Sequence, residues 1–173
     1  MKILRTPDEC FDNLEDYPFE PNYIDIEHDD QTLRMHFLDE NSESEEIVLL
    51  MHGEPTWSYL YRKIIPILVS NGKRVIAPDL IGFGKSDKPS SREDYSYANH
   101  IMWVETLIKK LDLKNIIFFA QDWGGLIGLR LLAKYPDLYE GLVVSNSGLP
   151  VGSGATEGLS LIHISEPTRR LVI

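Results

Sequence analysis

The stretch Ala120-Gln121-Asp122-Trp123-Gly124-Gly125 places a carboxylate between an apolar run and a helical one, with small residues on either side. A sharp strand-to-helix turn holds its central residue in strained backbone geometry and pushes that side chain out of the sheet edge. Small residues are needed two before and two or three after it, because strand and helix approach closely there. Ala120, Gly124 and Gly125 meet that requirement. A carboxylate at the centre is ionised at neutral pH and can act as a nucleophile without a base. The dipole of the following helix favours the anion. The alternative is an ordinary N-cap, a role for which aspartate is well suited. His52-Gly53-Glu54-Pro55-Thr56-Trp57 follows another apolar run. In a strand-turn-helix architecture, a backbone N–H from such a loop joins the N–H after the nucleophile in an oxyanion hole. The donors would be the amides of Glu54 and Trp123, although taken alone HGEP also fits an ordinary turn.

These residues need a parallel sheet to bring them together, and the hydrophobic pattern supplies one. Ile47–Met51 is apolar, unalternated and too short for a helix, which suits a strand buried on both faces. Arg74–Ala77, Asn115–Ala120 and Gly141–Ser145 read as further strands. Helices are predicted over Thr56–Ser70 (with Pro66 as a possible kink), Ser96–Leu111 and Gly124–Tyr135. In the second, Ile101, Val104, Leu107, Ile108 and Leu111 recur at helical spacing. Strands alternating with helices imply right-handed βαβ units whose C-terminal strand ends share one edge. Before them, Tyr23–His28 and Thr32–Leu38 read as an antiparallel hairpin around Asp29-Asp30, followed by an acidic turn over Asp39–Glu46. Residues 1–21, broken by Pro7, Pro18 and Pro21, read as extended.

The 173 residues are 43% hydrophobic and 25% charged, a globular composition. A net charge of −10 excludes a basic nucleic-acid footprint. The acidity is local: residues 1–46 hold 15 acids against 3 bases. Cys10 is the single cysteine, which excludes an internal disulfide and a cysteine zinc site. No apolar run approaches a membrane span and the first residues lack a signal-peptide core, so a cytoplasmic protein is expected. Gly84-Lys85-Ser86 is no phosphate loop, since Asp79 stands where that motif needs glycine. Gly82 and Gly84 are followed by Asp87, so the dinucleotide pattern fails too. The segment Asp79–Pro89 reads as a structural loop beside the site.

HGEPTWSYLYR at 52–62, DLIGFGKSDKP at 79–89 and QDWGG at 121–125 together resemble the haloalkane dehalogenases of the α/β-hydrolase superfamily. RTPDECFDNLEDYPFEPNY at 5–23 is similar to the lead-in of one dehalogenase subfamily. The resemblance covers roughly residues 3–152. It implies an α/β-hydrolase fold, a mostly parallel sheet with helices on both faces. It also implies that Asp122 attacks the carbon bearing the halogen and that Trp123 donates its indole N–H to the departing halide. The Glu54 and Trp123 amides would serve the oxyanion. Substrates would be a small haloalkane and water, with no metal or organic cofactor, and the intact protein would be a monomer. Two alternatives stand beside this reading. An epoxide hydrolase of the same fold shares the aspartate elbow and would release no halide. A non-catalytic α/β-hydrolase-like binding protein would keep its function after Asp122→Asn.

The family pattern also calls for a cap with a second halide donor, a catalytic acid and a late histidine. None has a place in this sequence, so a truncated core over 1–152 is expected. Of the histidines, His28 and His36 belong to the hairpin, His52 to the loop motif and His100 to a helix beside its apolar stripe; none reads as the base. The segment 153–173, with His163, is anomalous. Leu159 to Arg169 resembles a translated sequencing adapter, with the natural join near Gly158. Strand 141–145 would then be an open sheet edge, and the chain made alone is expected to fold poorly or associate, without turnover.

Overall fold

A computed structural model describes residues 1–148. Gly158, His163 and the rest of the 153–173 tail lie outside the described residues. Among the described residues, eight strands and three α-helices follow in chain order. The strands are β1 (Ile3–Leu4), β2 (Asn22–His28), β3 (Gln31–Glu40), β4 (Ile47–Met51), β5 (Arg74–Pro78), β6 (Lys88–Pro89), β7 (Ile116–Gln121) and β8 (Tyr139–Ser145). The helices are α1 (Ile65–Ser70), α2 (Tyr97–Lys110) and α3 (Trp123–Lys134). Six strands form one sheet in the order β2-β3-β5-β4-β7-β8, while β1 and β6 pair separately. Within the sheet β4 pairs in parallel with β5 and β7, and β7 with β8; the hairpin β2–β3 joins through β5 in antiparallel register.

All five residues of β4 are buried, because helices cover both faces of the central strands. Ile47, Leu49 and Met51 point to the side packed by α2 and α3, with Trp103, Leu107, Phe118 and Ile127. Val48 and Leu50 point to the other side, with Tyr61, Ile65 and Val75. On α2 the buried residues are Trp103, Val104, Leu107 and Ile108. Ile101 and Leu111 are only partly buried, so Trp103 carries more of the stripe than the spacing indicates. Ser96 caps this helix, accepting the Asn99 N–H at 3.1 Å.

Three expectations need correction. Thr56–Ser70 is not mostly helical: a 3-10 turn at Ser58–Tyr61 precedes the short α1. Pro66 has no N–H to offer the preceding turn and is tolerated only in a first turn, so the α-helix starts beside it. Asp39 and Glu40 belong to β3 rather than to an acidic turn, paired with Ile76 and Val75. Arg74 holds Asp39 there by two hydrogen bonds of 2.8 and 2.7 Å. Residues 1–21 are not simply extended, since Asp8–Phe11 forms a 3-10 turn and Ile3–Leu4 pairs with Lys88–Pro89. From this segment Phe11 and Tyr17 pack their rings against Trp57, at 5.3 and 5.2 Å, and brace the loop after β4.

The structural loop Asp79–Pro89, which ends in β6, has a buried polar anchor: Asp79, Ser86 and Asp87 are fully buried. The Asp79 carboxylate accepts the Ser58 and Lys85 N–H groups, both at 2.8 Å, and lies 2.8 Å from His36 Nδ1. Burial pushes this carboxyl up, but His36, His52 and the backbone donors outweigh it and hold it below the ordinary range. Asp87 accepts the Arg34 N–H at 2.9 Å and the Arg5 guanidinium. At the far edge of the sheet β8 pairs only with β7 among the described residues, and Val143 is 40% exposed.

Asp79→Ala strands two buried amides and its histidine neighbour. Urea unfolding should show a loss of about 3 kcal/mol or more. A loss under about 1 kcal/mol would mean that this carboxylate does not hold the loops together.

Candidate active site

One residue separates β7 from α3. Asp122 takes φ 53° and ψ −126°, a combination that costs an L-residue about 1–3 kcal/mol. The strain has a visible use. It turns the chain from strand into helix within a single residue and ejects the side chain from the sheet edge. The N-cap alternative fails, because the Asp122 side chain makes no capping hydrogen bond. Its carbonyl serves instead, accepting the Gly125 and Leu126 N–H groups and the Ser147 hydroxyl. Gly124 lets the helix approach the end of β4: a Cβ there would stand 2.4 Å from the Met51 carbonyl oxygen.

The freed carboxylate meets the loop after β4. The Glu54 N–H donates to Asp122 Oδ1 at 2.9 Å. Gly53 makes room, since a Cβ on it would lie 2.3 Å from Asp122 Cβ and 2.4 Å from Oδ1. Trp123, as first residue of α3, has an amide N–H with no partner inside the helix. Trp123 is 40% exposed and lines a cavity of about 530 Å³ together with Glu54. The three sequence-predicted residues, Asp122, Glu54 and Trp123, are therefore brought to one place.

The rest of the cavity wall comes from the Asp79–Pro89 motif, expected beside the site, and from residues with no motif of their own. Leu80 and Phe83 come from the loop after β5, Arg92, Tyr95 and Tyr97 from the entry to α2, and Ile127 from α3.

His52 is fully buried, and its ring is fixed by its partners. Nε2 accepts the Leu80 N–H at 2.9 Å, so Nδ1 carries the proton and donates to the Gly53 carbonyl at 3.0 Å. Burial is the main cause of its lowered pKa, only partly offset by Asp79 and Asp122. The expected structural role of His52 thus has a definite form. His28 packs on Trp103 and His36 lies against Asp79, both away from the cavity lining. His100 departs from a pure packing role: its ring stacks edge-on to Trp103 at 4.9 Å, yet it also lines the cavity. Burial, with a smaller contribution from His52, pushes its pKa down to about 4.

The comparisons with known proteins agree with this fold. A family model described as the alpha/beta hydrolase fold matches residues 46–164. The chain is 56% identical over 153 residues to a haloalkane dehalogenase of Psychrobacter cryohalolentis, covering 88% of this chain and 50% of that protein. The tetrameric structure of haloalkane dehalogenase DpaA from Paraglaciecola agarilytica superposes with a TM-score of 0.80 at 41% identity, over 95% of this chain and 56% of that one. A Vigna radiata epoxide hydrolase mutant follows at 0.64 and 30%, over 75% and 40%. The chain belongs to the alpha/beta hydrolase fold family. It spans about half the length of the curated relatives it matches, and these carry the name haloalkane dehalogenase. No helix among the described residues is long and apolar enough to cross a membrane.

The lowered His100 pKa fixes a pH dependence. The folded state favours neutral imidazole, so its contribution to stability is complete above about pH 6.5 and is lost as pH falls towards 4. His100→Phe should flatten the stability-versus-pH slope in that window by close to one proton. An unchanged slope would show that His100 titrates like a free histidine.

Proposed function

We propose that the protein hydrolyses carbon–halogen bonds in small haloalkanes through an ester on Asp122. The reading rests above all on one observation: the Asp122 carboxylate, ejected at positive φ, has Oδ1 held by the Glu54 amide beside the exposed Trp123. With Oδ1 occupied, Oδ2 is the nucleophile. It attacks the carbon bearing the halogen from the side opposite the leaving group, and the bonding pair departs with the halide. The Trp123 indole N–H donates to the halide as its charge develops, which lowers the barrier more than it stabilises bound substrate. The product is an alkyl ester of Asp122.

Water then attacks the ester carbonyl carbon. Negative charge collects on the carbonyl oxygen, where the Glu54 and Trp123 amides stabilise it. Collapse returns the carboxylate and releases the alcohol, while a base takes the proton from water. The dehalogenase resemblance assigns that base to a histidine held by a carboxylate, which has no counterpart among the described residues. Where no such base reaches the ester, the reaction stops there. The intact protein is read as a cytoplasmic monomer acting on haloalkane and water, without metal or organic cofactor.

Incubation with 1-bromobutane should add one butyl group to Asp122, located by intact mass and peptide mapping, and release one bromide per chain. Asp122→Asn should take up none. A folded chain with unmodified Asp122 would contradict the reading. Alkylation by an epoxide with no reaction towards bromobutane would favour the epoxide hydrolase alternative.

A further inference from the structure

The Glu54 N–H that reaches Asp122 belongs to the same peptide unit as the Gly53 carbonyl, so whatever fixes that carbonyl fixes the donor. Three groups do so. The Thr56 N–H and hydroxyl donate to it at 2.9 and 2.8 Å, and His52 Nδ1–H at 3.0 Å. The Thr56 donors belong to the same turn and move with it. His52 does not: its other nitrogen is pinned by the Leu80 amide, at the end of a neighbouring strand. Leu80 is in turn next to Asp79, whose carboxylate clamps Ser58 and Lys85. The ring therefore connects a rigid buried anchor to a peptide plane that must keep one orientation.

We propose that His52 is a positioning residue, which orients and polarises the Gly53–Glu54 peptide so that its N–H stays aimed at Asp122 Oδ1. This rests on the dehalogenase reading for its catalytic consequence but not for its geometry. A donor on the carbonyl withdraws electron density from the peptide and strengthens the N–H at its other end. Loss of that orientation lets the carboxylate turn, and misplacement of a reacting atom by about 1 Å costs about a hundredfold in rate. With two Thr56 donors remaining, a smaller loss, about tenfold, is expected.

The ring's two contacts can be separated by substitution. In His52→Asn the amide nitrogen replaces Nδ1 and can still donate to Gly53, while the contact with Leu80 is lost. In His52→Gln the side-chain oxygen reaches towards Leu80 and the donation to Gly53 is lost. Asp122 alkylation by 1-bromobutane, timed by intact mass in the full chain, should slow about tenfold or more in the Gln variant. Asn should recover most of that loss. A packing role would favour the longer Gln or affect both alike, and either result would overturn the proposal. If neither variant folds, nitrogen chemical shifts of the unsubstituted chain decide: a neutral Nδ1–H ring at His52 supports the proposal, an Nε2–H ring overturns it. If the unsubstituted chain folds but is not alkylated, the dehalogenase reading fails while the positioning role is judged on the Glu54 amide proton. That proton should move upfield in the Gln variant and much less in the Asn variant; no movement in Gln overturns the proposal.

Discussion

A strand that becomes a helix within one residue has to place that residue outside the ordinary backbone regions, and at Asp122 this constraint governs what surrounds it. The strain is tolerated because neighbours on every side determine the conformation. Gly124 presses the helix onto the carbonyls at the end of β4, and Gly53 yields space to the carboxylate. The Glu54 amide and the Ser147 hydroxyl hold the two oxygen-bearing ends of the residue.

The scaffold that supplies this rigidity is asymmetric in its chemistry. The two faces of the sheet are apolar, with Leu49, Leu50 and Met51 fully buried. The strand ends, by contrast, are held by polar groups out of contact with water. Asp79, Asp87, His36, His52 and Ser86 are all buried, and backbone amides from β3 and from other loops converge on Asp79, Asp87, His52 and Ser86. Apolar packing sets where the strands lie, but it is nearly indifferent to rotation of a peptide plane. Buried hydrogen bonds are not, because each unmade one costs the full desolvation of its group. This is why the loops that present amides to Asp122 are anchored through carboxylates and imidazoles rather than through leucines.

Much of this was legible in the sequence, and the reasons differ by element. β4 and β7 could be read because their apolar runs are short and unalternated; β4 is buried on both faces, while β7 is fully buried on one and partly on the other. The elbow could be read because Ala120, Gly124 and Gly125 are small where strand and helix must touch. The short helix α1 was overextended because Pro66 permits a helix start as readily as a kink. The acidic residues of β3 were assigned to a turn on composition, whereas the Arg74 partner lies 35 residues away from Asp39. The partners of Asp79 are equally silent in the sequence: the loop reads as structural, but the donors from Ser58 and Lys85 that anchor it leave no pattern. Long-range polar pairing has no periodic signature, and the cavity wall around Tyr95 and His100 was missed on the same ground.

The central claim is that the Glu54 amide and the Asp122 carboxylate form a single unit, and the amide proton of Glu54 reports on it directly. In a nitrogen-edited proton spectrum, that resonance should lie well downfield while the carboxylate is charged. It should move upfield both in Asp122→Asn and after esterification of Asp122. A Glu54 proton at an ordinary amide position, unmoved by either change, would contradict the account.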